Sequence, residues 1–230
     1  MTPNLEQPIT CGRREGLVDR PLDCDGRYLR AKALFDRTAA ALGLMLLFPV
    51  MLVIALLVKL TSASPVLYRQ VQVGINNRPF RIYKFRSMRT DAEKNGAQWA
   101  RRNDPRVTSL GRFLRRTHLD ELPQLINVVK GEMSLVGPRP ERPVFVTELS
   151  EKIEAYPLRL SVKPGITGLA QVHHRYDESI EDVKVKLGYD LAYVRTCGFF
   201  MDIKIIWSTF WSLLLGKTHD VGTPSGTHQT

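Results

Sequence analysis

A chain of 230 residues with a net charge of +10 is long enough for one domain with a real core, and one domain plus an anchor fits it better than two small domains. The charge suits an anionic partner, whether nucleic acid, an anionic membrane surface or a phosphorylated ligand, and does not choose among them. Cys11, Cys24 and Cys197 are odd in number and widely spaced, so they suggest neither a disulfide framework nor a zinc site and suit a reducing cytoplasm.

Residues 1–27 are rich in Arg, Asp, Gly and Pro and lack the apolar core of a signal peptide, which predicts a mobile basic tail. From Thr38 to Val58 the chain carries no charge, a length that spans a hydrocarbon core, with Pro49 near the middle. Proline withholds a hydrogen bond from the carbonyl of Met45 and crowds the preceding turn, so the helix is expected to bend or break near Phe48. Arg27, Arg30, Lys32 and Arg37 precede the run, and Lys59 and Arg69 follow it. Both flanks therefore favour the cytoplasmic side, and the segment 28–61 is predicted to enter and leave by one face. A straight span and a buried helix of a soluble core are the alternatives.

Two β-branched and aromatic runs, Pro65–Val73 and Pro79–Phe85, surround the turn-prone Gly74–Asn77 and predict a hairpin that delivers Lys84 and Arg86 to its exit. The polar stretch 87–109 reads as a long loop or short helix. Helices are expected around Leu110–Arg116, Glu121–Lys130, Arg142–Tyr156 and Ser179–Arg195. In the last apolar pattern, Phe199–Leu215, Phe200, Ile203, Trp207, Trp211 and Leu214 share a face, which fits an interfacial helix or a core-packing one. A flexible tail is predicted over 219–230. The fold class is α+β, mainly helical with a short β-hairpin, and no internal repeat is present.

Asp120 and Glu121 open an apolar-periodic run containing Leu122, Leu125, Ile126 and Val129, where Asp120 occupies an N-cap position and Pro123 lies in the first turn. A cap is the plain reading. A helix start also gathers phosphate oxygens, carboxylates form covalent intermediates with phosphoryl groups, and a divalent cation offsets repulsion between Asp120 and a pyrophosphate, so an active site is the other. Arg139, fixed between Pro138 and Pro140, suits bidentate phosphate binding or belongs to a mere connector. Arg115 and Arg116 precede the acidic pair and join a phosphate cluster or coat a helix face. Lys163–Gly168 reads as a tight turn followed by a strand-like Leu169–Val172 and then His173-His174-Arg175, whose histidines have no third metal ligand at a useful spacing.

From about Lys32 to Leu215 the chain resembles the bacterial sugar transferases, the monotopic polyprenyl-phosphate phosphoglycosyl transferases. The likeness rests on the proline-centred apolar helix and on Tyr83-Lys-Phe-Arg-Ser-Met88, Asp104-Pro-Arg106, Gly111-Arg-Phe-Leu-Arg115, Leu119-Asp-Glu-Leu-Pro-Gln124 and Asn127-Val-Val-Lys-Gly-Glu-Met-Ser134. It continues through Gly137-Pro-Arg-Pro140, Lys163-Pro-Gly-Ile-Thr-Gly168 and Asp190-Leu-Ala-Tyr193. The resemblance implies a monotopic membrane protein with a re-entrant, proline-broken helix over 28–61, a cytoplasmic catalytic domain over 62–218 and interfacial amphipathic helices, at the cytoplasmic face of the bacterial inner membrane. It implies a Mg2+-dependent transfer of sugar 1-phosphate from a nucleotide sugar, a UDP-sugar by resemblance, to polyprenyl phosphate through a phosphosugar-aspartate intermediate.

By the same resemblance Asp120 and Glu121 are the catalytic pair and magnesium ligands, and Lys84, Arg86, Arg115, Arg139 and Arg175 bind substrate. Partners are the two substrates and membrane lipid, with no nucleic acid and with a homodimer allowed. Two departures stand out. His173-His174 replace the Asn-Gly that precedes the family's arginine, here Arg175, and Phe48-Pro49 stands where many members have Ser-Pro. Members with extra amino-terminal spans exist, and this sequence resembles the minimal form without them. The competing readings are a membrane-tethered anion-binding module, which would not need Asp120 and Glu121, and a non-catalytic assembly protein.

Overall fold

The computed structural model describes residues 24, 26–61, 65–94, 96, 104–173 and 179–215. Helix α1 runs from Gly26 to Thr61, 36 residues, or about 54 Å at 1.5 Å per residue. Among the described residues it alone is long and apolar enough to cross a membrane. It begins before the boundary expected at residue 28, and Cys24 just ahead of it is already buried.

The helical assignment continues through Pro49, so the break expected near Phe48 is absent and a bend is the form in which the proline can act. Packing on both sides of the proline keeps the helical path. Ala40 joins Phe80, Ile82, Val128 and Met133, and Ile54 and Val58 join Phe85 and Leu114. The opposite side of α1 bares Leu42, Met45, Leu46, Phe48, Val53, Leu56 and Leu60.

Strands β1 (Leu67–Val73) and β2 (Pro79–Phe85) form the expected antiparallel hairpin, in register from Leu67 opposite Phe85 to Val73 opposite Pro79. Its turn places Asn76 and Asn77 at φ 52° and 61°, a left-handed conformation that asparagine tolerates better than most side chains. Helix α2 (Ser109–Arg116) is capped by the Thr108 hydroxyl, which accepts from the Gly111 amide at 2.9 Å. A 3-10 turn, Leu119–Glu121, leads to α3 (Gln124–Lys130), which ends at Gly131 in the left-handed region.

Strand β3 (Ser134–Val136) pairs in parallel with β4 (Gly165–Thr167), a second small sheet that the sequence reading did not contain. Between them lie α4 (Pro143–Lys152) and a 3-10 segment, Tyr156–Ser161. Leu169–His173 is a short helix, α5, rather than the expected strand. The strand is instead the Gly-Ile-Thr of the supposed turn, drawn out by pairing with β3, and the Val172 amide then bonds the Gly168 carbonyl in helical fashion. Helix α6 (Ile180–Thr196) starts with a capping box between Ser179 and Asp182. Helix α7 (Phe199–Leu214) follows.

The face of α7 carrying Phe200, Ile203, Trp207, Trp211 and Leu214 is exposed, which decides against a core-packing helix. Its buried side carries Asp202 and Ile205. The Asp202 carboxylate accepts hydrogen bonds from the hydroxyls of Tyr28 (2.7 Å) and Tyr193 (2.8 Å) and pairs with Lys32, so polar bonds clamp α7 to the start of α1. Beside this clamp Cys24 and Cys197 lie against each other, with Cα atoms 5.6 Å apart, a proximity that the sequence did not suggest. Their 173-residue separation hid it, because only the return of α6 to the start of α1 brings the two together.

Candidate active site

The acidic pair lies in the 3-10 turn, not at a helix N-cap as expected. Pro123 separates that turn from α3, whose own N-cap position is Pro123, and no side-chain capping bond forms. His118, at φ 55°, reverses the chain after α2 so that Asp120 and Glu121 both point inward and are buried. Leu119 and Leu122 on either side pack with Ile54 and Val58 of α1, while Leu125 packs with Ala40. The pair is thereby set alongside the middle of the apolar helix.

Cations converge on this turn from three elements. Lys84 of β2 reaches Glu121 Oε1 at 2.8 Å. Arg139 donates to the same oxygen at 2.6 Å and to Oε2 at 3.4 Å. Arg115 of α2 is directed inward, its Nε donating to Ser87 Oγ at 2.9 Å. Gly111 makes this possible, because a Cβ there would overlap the backbone of Ser87, so α2 can press against the β2 exit only without a side chain. The Arg139 loop is stapled by the Gly137 amide to the Thr167 carbonyl and by the Gly165 amide to the Pro138 carbonyl, both 2.9 Å.

Electrostatics separates the two carboxylates. Burial works to raise Glu121, but Arg139 and Lys84 overcome it and hold this carboxyl well below the usual range. Burial, then the neighbouring Glu121, pushes Asp120 up against the pull of Lys84, Arg115 and Arg139. Burial also lowers Arg115 and His118. Among the described residues no hydrogen bond or ion pair commits the Asp120 carboxylate, whereas Glu121 is taken by two cations. Three cations against two carboxylates leave a surplus positive charge, which suits an added phosphate.

The site thus gathers Asp120, Glu121, Lys84, Arg115 and Arg139. It does not gather Arg86, whose Nε donates to the Pro65 carbonyl at 3.0 Å and whose guanidinium lies over the Tyr68 ring. Arg116 is exposed on α2. Arg175 and His174 lie outside the described residues, and His173 stacks on Tyr189.

Three residues without an assigned role in the sequence reading belong to the surroundings. Arg159 and Asp190 form a buried ion pair, and Arg159 donates to the Arg139 carbonyl at 2.8 Å. Asp190 stood in a quoted motif, but nothing in the sequence marked Arg159 as its partner. Gln124, buried four residues after Asp120, has an Nε2 with no hydrogen-bond partner. Such a donor usually answers to water or ligand.

For a divalent cation the donor set is sparse: among the described residues no group of three or more His, Cys, Asp or Glu could hold a metal ion. Two oxygen-donor carboxylates nevertheless fit magnesium, which takes one or two carboxylates and completes its shell with water and substrate phosphates. Asp120 is the less committed donor, since Glu121 Oε1 already accepts from Lys84 and Arg139.

Comparison with known proteins agrees with this chemistry. The chain is 43% identical over 189 residues to a UDP-N-acetylgalactosamine-undecaprenyl-phosphate N-acetylgalactosaminephosphotransferase of Aeromonas hydrophila, covering 82% of this chain and 45% of that protein. It is 43% identical over 203 residues to a UDP-glucose:undecaprenyl-phosphate glucose-1-phosphate transferase of Escherichia coli K12, covering 87% and 43%. A Caulobacter vibrioides protein of the latter name is 41% identical over 185 residues, covering 80% and 69%. The chain thus spans less than half the length of the first two relatives. A family model described as bacterial sugar transferase matches residues 27–216, which takes in α1 from its second residue, the acidic turn and the cations around it, and the chain belongs to that family.

Proposed function

We propose that this chain transfers a sugar 1-phosphate from a nucleotide sugar, a UDP-sugar in keeping with the names of its relatives, to polyprenyl phosphate, at the cytoplasmic face of the bacterial inner membrane. The observation that carries the reading is a buried, uncommitted Asp120 beside a Glu121 locked by Lys84 and Arg139. An Asp120 carboxylate oxygen attacks the phosphorus that bears the sugar, the pyrophosphate P–O bond breaks, and nucleoside monophosphate leaves. A phosphate oxygen of the polyprenyl phosphate then attacks the same phosphorus, yielding the polyprenyl diphosphate sugar and freeing the Asp120 carboxylate.

Glu121 acts by anchoring. It holds Lys84 and Arg139 where their remaining donors can meet phosphate oxygens, while Arg115 adds charge from the α2 side. Magnesium, when bound at Asp120, supplies charge neutralisation between the carboxylate and the pyrophosphate. Helix α1 supports a re-entrant placement, because residues before and after Pro49 pack on one charged domain that must stay on one side of the bilayer, leaving the apolar opposite face for lipid. The exposed aromatic face of α7 fits the lipid interface.

Purified protein, magnesium, a panel of nucleotide sugars and polyprenyl phosphate should together release nucleoside monophosphate, with no release when polyprenyl phosphate is omitted beyond one equivalent per enzyme. Binding of both substrates without release would replace the transferase with an anion-binding or assembly protein.

A further inference from the structure

Among the described residues Arg159 and Asp190 are the most deeply buried ion pair outside the acidic turn, with 2% and 1% of their surfaces exposed. The Arg159 guanidinium donates to Asp190 Oδ2 from Nε at 2.8 Å and lies 2.7 Å from it through a terminal nitrogen. That terminal nitrogen also donates to the Arg139 backbone carbonyl at 2.8 Å, and the other donates to the Tyr156 hydroxyl at 3.2 Å. The guanidinium lies 5.2 Å from the centre of the Tyr156 ring, so neither end can swing freely.

Burying two charges costs several kcal/mol per ion, and an apolar pair of similar volume often serves stability as well or better. Besides the longer bond to the Tyr156 hydroxyl, what an apolar pair could not reproduce is the bond to the Arg139 carbonyl. That carbonyl is attached to the Cα from which the Arg139 side chain departs towards Glu121. With Pro138 and Pro140 restricting the backbone, fixing it sets the direction of the side chain. Two residues further on, Lys186 of the same α6 pairs with Glu141 at 2.7 Å, so α6 holds this loop at two points.

We propose that Arg159, braced by Asp190, is a positioning residue for phosphoryl transfer: it fixes the Arg139 carbonyl and so aims the Arg139 guanidinium at Glu121 and the substrate phosphate. This rests on the reading of Arg139 as a phosphate-binding group. The role is orientation, since Arg159 itself lies behind the loop and touches neither carboxylate of the pair.

The test is a double replacement, Arg159→Met with Asp190→Leu, in full-length protein reconstituted in lipid nanodiscs. It removes both charges together, so no unpaired charge is left, and it releases the Arg139 carbonyl. The expected result is a folded protein with an unaltered melting temperature and an unchanged KM for polyprenyl phosphate, but with kcat lowered on the order of 10²-fold, as for a reacting group displaced by about an ångström. Adding Arg139→Lys should then cost far less than it does in the wild-type background, because the aim it depends on is already lost.

Wild-type kcat in the folded double variant, with Arg139→Lys equally harmful in both backgrounds, overturns the positioning role and leaves the transferase reading standing. Wild-type kcat in Arg139→Lys alone overturns the assigned role of Arg139 and this role with it. Should the double variant not fold, Arg159→Lys keeps a cation opposite Asp190 but lacks the planar fork that serves two acceptors. It should show the same loss of kcat, and a wild-type value there rejects the proposal.

Discussion

Adjacent carboxylates normally share an environment, yet Glu121 and Asp120 are driven apart by which of them the cations reach. Lys84 and Arg139 both bond Glu121, and that leaves Asp120 as the group with an unspent negative charge in a buried setting. Asp120→Asn keeps the volume and removes the nucleophile, so turnover should fall on the order of 10⁴-fold or more, as when a covalent nucleophile is deleted, with the melting temperature retained. Intact-mass measurement with nucleotide sugar alone should show a phosphosugar adduct in wild type and none in this variant; wild-type turnover in Asp120→Asn removes the assignment. Arg139→Lys keeps charge and loses the fork, costing about 1.5–3 kcal/mol in kcat/KM, as for a hydrogen bond to a charged group. Excess chelator should abolish activity and magnesium restore it, while full activity in chelator would take the ion out of the scheme. The acidic pair and Arg139 were legible because a short motif carried each. That Arg86 turns to Pro65 and Tyr68 rather than to the acidic pair was not legible, since its nearness in sequence to Lys84 does not tell which way a side chain turns at a strand exit.

The helices differ in how openly the sequence declared them. The exposed stripe of α7 could be read from its period, and the structure decided only whether that stripe faces outward. The hairpin was legible from its turn residues. By contrast Leu169–Val172 read as a strand because its residue types suit one, and the pairing of Gly165–Thr167 with Ser134–Val136, a non-local event, sent it into a helix. Pro49 was expected to bend or break α1, and contacts made by Ala40 before it and Ile54 after it hold one helix across it. Those contacts and the basic flanks are what favour the proposed re-entrant placement, with both ends of α1 on one side. Single cysteines at Arg30 and Thr61, in a background with Cys11, Cys24 and Cys197 replaced, should therefore be equally shielded from an impermeant thiol reagent outside intact cells, and equally labelled once the inner membrane is permeabilised. Labelling of one position alone from outside means that α1 spans. Pro49→Ala restores the lost donor and favours a straighter helix; because packing already guides the path, its labelling pattern should match that of the parent.

At the scale of the molecule, α1 serves as a wall of the domain as well as presenting an exposed apolar face. A simple anchor could be cut away to leave a soluble enzyme. Here Ala40, Ile54 and Val58 are buried in two of the core clusters, and burying an Ile or Val side chain contributes about 1.5–3 kcal/mol. Two such losses already approach the low end of ordinary domain stability, about 5–15 kcal/mol. The polar bonds point the same way. Removing α1 takes Lys32 from Asp202 and Asp36 from the Ser134 hydroxyl, so Asp202 would lose its cation while Tyr193 still bonds it from within the core. A buried charge stripped of its partner typically costs about 3–5 kcal/mol. A chain beginning after Thr61 should accordingly fail to fold: circular dichroism should show no cooperative melt, and size exclusion should show aggregate even in detergent. By comparison, changing the outward-facing Leu46 and Leu56 together to Gln should leave the melting temperature in detergent near that of wild type while weakening retention on lipid vesicles, because those side chains are exposed. A soluble, cooperatively folded truncation would show that α1 is only an anchor, and that the acidic turn keeps its place without the helix beside it.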